Sequence, residues 1–272
     1  MEGIAQDHTV SIERILAARS GGKKVPRFIV RWMERFFHQD FINGYLKQGY
    51  EGADFCRHCL EYLDVKTEVE GWENLDLLPE EARCTVVSNH PLGGIDGIVL
   101  LDLFLPRFDG KIRLLVNDFL MEIKGLAPLC IPVNKMGGQA RSLPAQVQEA
   151  FDSGNEMLIF PAGACSRRID GKIQDYPWKK TFLTHSVRTG RYVVPVHFIG
   201  QNSNRFYRVA SLCRFFHIRF NAAMFFLPDE MIRGQHQTVR IVIGKPIPPE
   251  TFDASRSAYD WAQTVRNTVY NL

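Results

Sequence analysis

Val86-Val-Ser-Asn-His-Pro-Leu-Gly-Gly-Ile-Asp-Gly97 is the stretch on which the fold turns. A β-branched run ends at Ser88, and Asn89 and His90 follow at its carboxyl end. Pro91 and the pair Gly93 and Gly94 then turn the chain into an apolar helix over Ile95–Leu105. Open α/β sheets place their functional groups at that end of a strand. Outward from this stretch, short β-branched runs alternate with helical ones. Strands are predicted at Val65–Val69, Cys84–Ser88, Ile112–Asn117, Leu129–Val133, Met157–Phe160, Tyr192–Phe198, His217–Asn221 and Thr238–Ile243. Helices are predicted at Ala140–Asp152, Lys179–Arg188, Arg205–Phe215 and Ser257–Tyr270. This alternation predicts an α/β fold with a mixed, largely parallel sheet flanked by helices, occupying residues 65–272.

Residues 1–64 read as an N-terminal helical segment. Helical patterns cover Ser11–Arg19, Pro26–His38, Asp40–Tyr50 and Asp54–Leu63. In the second, Phe28, Trp32 and Phe36 lie on an apolar arc opposite Arg27, Arg31 and Arg35. Two readings fit that arc, a helix packed on the sheet and an anchor at a lipid interface with its arginines at the head groups. The chain has 272 residues, with 33 Lys+Arg against 30 Asp+Glu. No basic tract dominates, so nucleic-acid binding is not expected. No run reaches the roughly 18 apolar residues of a membrane-spanning helix. The N-terminus lacks the basic region and apolar core of a secretory signal. The expected location is therefore cytoplasmic. Cys56 and Cys59 flank His58 on a helix with no second ligand pair at zinc spacing, and read as buried thiols; no metal is expected.

No Gly-x-Ser-x-Gly elbow, P-loop or Gly-x-Gly-x-x-Gly fingerprint occurs. What remains is His90 with Asp96 near the first turn of the following helix. A carboxylate on one ring nitrogen fixes the tautomer and leaves the other nitrogen to take a proton. Backbone N–H groups at Gly93 and Gly94 are candidate oxyanion donors. A second loop, Phe160-Pro-Ala-Gly-Ala-Cys-Ser-Arg-Arg168, also follows a strand. It offers Gly163, Ser166 and the forks of Arg167 and Arg168 to an anionic head group. Cys165 within it reads as a structural thiol. Lys135 ends a third loop, Ile131-Pro-Val-Asn-Lys135. Pro195 interrupts a fourth run, Val193-Val-Pro-Val196, which places it at an edge or a bulge.

In this order the blocks resemble the lysophospholipid acyltransferase family, which includes 1-acylglycerol-3-phosphate acyltransferases. That family carries Asn-His-x4-Asp, a loop with a basic residue, Phe-Pro-Glu-Gly-Thr-Arg-Ser and a Val-Pro-Val strand. Here they stand as Asn89-His90…Asp96, Asn134-Lys135, Phe160-Pro161-Ala162-Gly163…Ser166-Arg167 and Val194-Pro195-Val196. The resemblance covers roughly residues 65–250. Five residues instead of four separate His90 from Asp96, and Ala162 replaces the glutamate. The chain thus more closely resembles the divergent hemolysin-like branch, which includes enzymes acylating ornithine and glycine lipids.

The resemblance implies a glycerolipid acyltransferase-like fold and acyl transfer to a lyso-lipid hydroxyl. His90 would be the base, oriented by Asp96; Arg167, with Lys135 and Arg168, would hold the acceptor's head. No cofactor is implied, only a thioester of acyl carrier protein or coenzyme A as co-substrate. An acidic carrier would meet a basic rim drawn from Arg107, Lys111, Arg205, Arg208, Arg214 and Arg219. The preferred acceptor is an N-(3-hydroxyacyl) glycine or ornithine, since Ala162 removes a carboxylate while the arginines survive. Lysophosphatidate is the alternative acceptor, and a non-catalytic membrane-binding hemolysin-like protein is the alternative of another class. A bilayer substrate implies a peripheral position on the inner face of the cell membrane. No feature of the sequence sets an oligomeric state.

Overall fold

The computed structural model describes residues 8–19, 25–116, 118–132, 143–216 and 222–272. Strands β1 (Lys66–Glu70), β2 (Cys84–Ser88), β3 (Ile112–Val116), β4 (Cys130–Pro132) and β5 (Glu156–Ile159) join β8 (Tyr192–Ile199) and β9 (Thr238–Ile243) in one sheet. Its order is β1-β9-β8-β2-β5-β3-β4. From β8 to β4 every pairing is parallel; β9 pairs antiparallel with β8, and β1 runs parallel to β9. The sheet is mixed and largely parallel, as the alternation of runs predicts. A separate hairpin pairs β6 (Arg167–Ile169) with β7 (Lys172–Gln174). The predicted strand at His217–Asn221 lies outside the described residues.

Period-two alternation sends neighbouring residues to opposite faces of the sheet. Val86, Leu158, Val194 and Val196 face α3 (Gln39–Leu46), α4 (Gly52–Leu63) and α5 (Gly94–Arg107). Val87, Met157, Ile159 and Val193 face α6 (Leu143–Asp152), α7 (Thr181–Arg188) and α10 (Ala258–Tyr270). Cys56 and Cys59 are buried in the first of these cores. Burial pushes the Cys59 thiol up to about 12. The N-terminal helices α1 (Ile12–Arg19) and α2 (Arg27–Phe36) precede α3, and α8 (Asn204–Phe215) and α9 (Leu227–Arg233) lie between β8 and β9. Among the described residues, no helix is long and apolar enough to cross a membrane.

Pro195 sits in a central strand, not an edge, and the bulge expectation explains how. Val196 opposes Ile243, whereas Val193 opposes Ile247, so β9 side gains one residue across this stretch. Pro195 still accepts from Gly244 N–H at 2.8 Å. Its missing donor faces the extra residue, where no ladder bond is required.

All five parallel strands end at one edge, which gathers the loops after β2, β5 and β8. At the other edge Arg191 is fully buried and donates to the carbonyls of Phe151, Ser153 and Cys84. Glu156 accepts from Cys84 N–H and lies 3.5 Å from Arg191 Nη1. Removing one member of such a network strands the other charge. Arg191→Met is expected to cost about 3 kcal/mol in urea unfolding; a loss below about 1 kcal/mol would mean the network carries little.

Candidate active site

His90 and Asp96 meet as the sequence spacing suggests, with Nδ1 and Oδ2 2.9 Å apart. The extra residue is absorbed at Gly93, whose φ of 91° is open to glycine. A Cβ there would lie 2.8 Å from Leu227 and 3.1 Å from Cys165 Sγ. Asp96 is fully buried and accepts from Leu92 N–H at 3.0 Å and Gly93 N–H at 3.0 Å. Burial pushes its pKa up, against the pull of His90 and those two amides. With three donors converging on it, the carboxylate is the form this pocket is built to hold.

The His90 ring stacks on Phe160, 4.0 Å between centroids, and keeps 19% of its surface exposed. The Cys165 thiol lies against it. Burial opposes protonation of the ring. The Cys165 sulfur and the Asp96 carboxylate outweigh it, and the pKa rises from 6.5 to about 10. Cys165 itself is buried with Phe206 and Tyr207, as a structural thiol should be, yet it touches the reacting ring.

Two side chains lock the His90 backbone in place. Asn89 Nδ2 donates to Phe198 O at 2.9 Å, and Asn89 Oδ1 accepts from Phe198 N–H at 2.7 Å. The amide thereby imitates one more residue of the β2–β8 ladder. Asp175 Oδ1 accepts from His90 N–H at 3.3 Å and from Ser166 Oγ at 2.6 Å. Its other oxygen accepts from Trp178 Nε1 at 3.0 Å. Nothing in the sequence marks Asp175, which reaches the site from 85 positions away.

Several predicted binding residues are placed differently. Ser166 is buried, donating its N–H to His90 O and its hydroxyl to Asp175, so it braces the loop and does not face a ligand. Arg167 points inward: Nη1 donates to the Cys165 and Ser166 carbonyls, the guanidinium lies over Phe206, and 6% of the residue is exposed. Its Nη1 thus braces its own loop beside His90. Arg168 is half-buried over Tyr207 and donates to Asn204. Gly163 adopts φ 68°, and an added Cβ would lie 2.8 Å from Lys179 Nζ. Lys179 is thus an exposed cation over the loop that the motif reading missed. Lys135 lies outside the described residues. Gly93 N–H is committed to Asp96 and so is withdrawn as an oxyanion donor, whereas Gly94 opens α5, where first-turn amides lack helical acceptors.

The arc on α2 is divided. Phe28 and Trp32 are 74% and 62% exposed, and Arg27, Arg31 and Arg35 are exposed beside them. Phe36 is half-buried: it stacks on Trp32 and meets Phe226 edge-on at 5.2 Å. The basic rim is split between α5, which ends at Arg107, and α8, which carries Arg205, Arg208 and Arg214. Arg107 bonds Leu75 O near Asp76 at the far end of α5, while Arg205 pairs with Asp229 on the other side; Arg219 lies outside the described residues.

Asn89→Asp keeps an acceptor for Phe198 N–H but deprives the Phe198 carbonyl of its donor. It should lower stability by about 2 kcal/mol and reduce turnover by displacing His90. Unchanged turnover in a folded variant would show that the amide does not position the ring.

The sequence profile of the acyltransferase family matches residues 14–272. The lyso-glycine lipid O-acyltransferase of Phocaeicola vulgatus is 48% identical over 267 residues, covering 97% of this chain and 95% of that one. The lyso-glycine lipid O-acyltransferase of Bacteroides thetaiotaomicron is 46% identical, covering 97% of each. A crystal structure of a 1-acyl-sn-glycerophosphate acyltransferase from Thermotoga maritima aligns with a TM-score of 0.49 at 18% identity, over 95% of this chain and 87% of that chain. A match that spans the His90–Asp96 pair and every strand of the sheet leaves one assignment: the chain belongs to the acyltransferase family.

Proposed function

We propose that this acyltransferase moves a fatty acyl chain from an acyl carrier protein or coenzyme A thioester to the hydroxyl of a lyso-amino-lipid, with N-(3-hydroxyacyl)glycine the acceptor. The coarser part, acyl transfer to a lyso-lipid, rests on near-full-length similarity to two lyso-glycine lipid O-acyltransferases. The observation that carries the chemistry is the His90–Asp96 pair, with one ring nitrogen held by a buried carboxylate. His90 Nε2 takes the acceptor's hydroxyl proton, and the oxygen attacks the thioester carbonyl. The tetrahedral oxyanion forms at the start of α5, near Gly94 N–H. Its collapse breaks the C–S bond, and the imidazolium returns the proton to the departing thiolate. An ester and a free thiol result, with no enzyme-bound acyl group.

The loop after β5 supports a carboxylate head. Ala162 is buried against Ile159 and Trp178, so a longer polar side chain there would have to be desolvated. Lys179, over Gly163, is the cation we assign to the acceptor's carboxylate. The exposed face of α2 supports a peripheral position on the membrane where such an acceptor resides.

His90→Ala should lower turnover at least a hundredfold with the fold retained by circular dichroism. Because only the neutral ring can accept the proton, kcat/KM should climb with pH through neutrality and keep rising past the ordinary histidine value. Cys165→Ala removes a neighbour that raises the ring's pKa, so the limb should move to lower pH; an unmoved limb would detach the thiol from the base.

The acceptor is decided by offering a carrier-protein thioester with N-(3-hydroxyacyl)glycine, its ornithine counterpart and lysophosphatidate in parallel. Faster turnover on lysophosphatidate would overturn the assignment. Lys179→Met should raise KM for the glycine acceptor about tenfold with kcat little changed, the loss of one charge-assisted hydrogen bond.

A further inference from the structure

Helix α8 has two unlike halves. The first buries Phe206 and Tyr207 against Cys165, roofing that side of His90. Arg167 and Arg168 of the hairpin lie over those two rings at 5.0 and 5.6 Å. The second half is turned outward: Leu212, Phe215 and the following Phe216 are 55%, 75% and 64% exposed. Between α8 and the hairpin runs an open groove of about 570 Å³, lined by Tyr207, Leu212 and Phe215 and edged by Arg168, Arg208 and Arg214. Among the described residues, no acidic side chain lines it.

We propose that this end of α8 is a second membrane-contact surface, distinct from α2 and seated on a bilayer containing anionic lipids. Leu212, Phe215 and Phe216 enter the acyl boundary, and the groove's arginines hold the negatively charged head groups. The side chains of this surface select a bilayer. The protruding side chains are large and apolar at a helix end, and arginines flank them, the pattern of an interfacial helix whose cations stay at the head groups. An acidic carrier protein would pair with the arginines, but would leave the three apolar side chains unused. Seated this way, α8 sets the Cys165 side of the dyad next to the lipid phase, where a two-chain product must leave. This inference rests on the lyso-lipid reading above.

The test is sedimentation of the full chain with phosphatidylcholine vesicles made with and without phosphatidylglycerol, across a salt series. Arg208→Gln/Arg214→Gln should weaken partitioning onto the anionic vesicles on the order of thirtyfold at low salt, fading as salt rises. Leu212→Ser/Phe215→Ser/Phe216→Ser should weaken partitioning onto both kinds of vesicle, with α2 unaltered. Circular dichroism and the thermal midpoint establish that both variants are folded, which the exposure of all five side chains favours. Unchanged partitioning of either folded variant would overturn the proposal. So would retained partitioning with lost capture of an acidic carrier protein, because the surface would then belong to the donor. Turnover by the parent protein on a water-soluble short-chain acceptor tests the acyltransferase reading separately, since it requires no vesicle.

Discussion

A buried carboxylate that collects three donors holds the site together. Asp96 has no solvent, and an ionised group in that position survives only if hydrogen bonds replace its hydration. Leu92 and Gly93 N–H and His90 Nδ1 supply them. Those bonds set the turn after β2, start α5 and fix the imidazole tautomer together. Each consequence follows from one requirement, and none of the three parts is independently adjustable. The left-handed backbone at Gly93 is the local cost of bringing the donors round, and Asn89 and Asp175 keep the preceding backbone from yielding to it.

How much of this was legible in the sequence varies with the range of the interaction. Strands and helices came from local periodicity, and β2, β8 and β9 appear within a residue of their reading. The His90–Asp96 contact was legible because both partners sit on one turn. Arg167 was not, since an arginine in a loop reads the same whether it faces a ligand or its own carbonyls. The β6–β7 hairpin was missed although Asp170-Gly171, both at positive φ, is a strong two-residue turn signal. Asp175 and Lys179 were missed for a different reason: their proximity to the site is created by a long-range return of the chain. On α2, periodicity defined an apolar arc but could not divide it, because Phe36 finds Phe226 only once α8 and α9 are packed.

The corner where α2 turns into α3 is held by contacts of similarly long range. His38 sits there at positive φ and lies 2.9 Å from Asp229, which also pairs with Arg205 and Arg233. Burial raises the pKa of Asp229, but bonds from Arg233 and His38 and the charge of Arg205 outweigh it and hold it below the usual carboxylate range. One acidic residue thus clamps the N-terminal helices to α8 and α9. The two outward-facing helices are thereby referred to a common rigid base instead of swinging on separate hinges.

The Arg191–Glu156 network and the dyad occupy opposite ends of the same strands, and this separation bears on how the molecule can change over generations. Four residue steps of β2 put roughly 13 Å between Cys84 and Ser88, beyond the distance at which substitutions usually interact. Replacements in the loops after β5 and β8 can therefore be tried one at a time without eroding the base on which the sheet assembles. Sequence drift at the loop end of such a scaffold needs no compensating change at the opposite end of its strands.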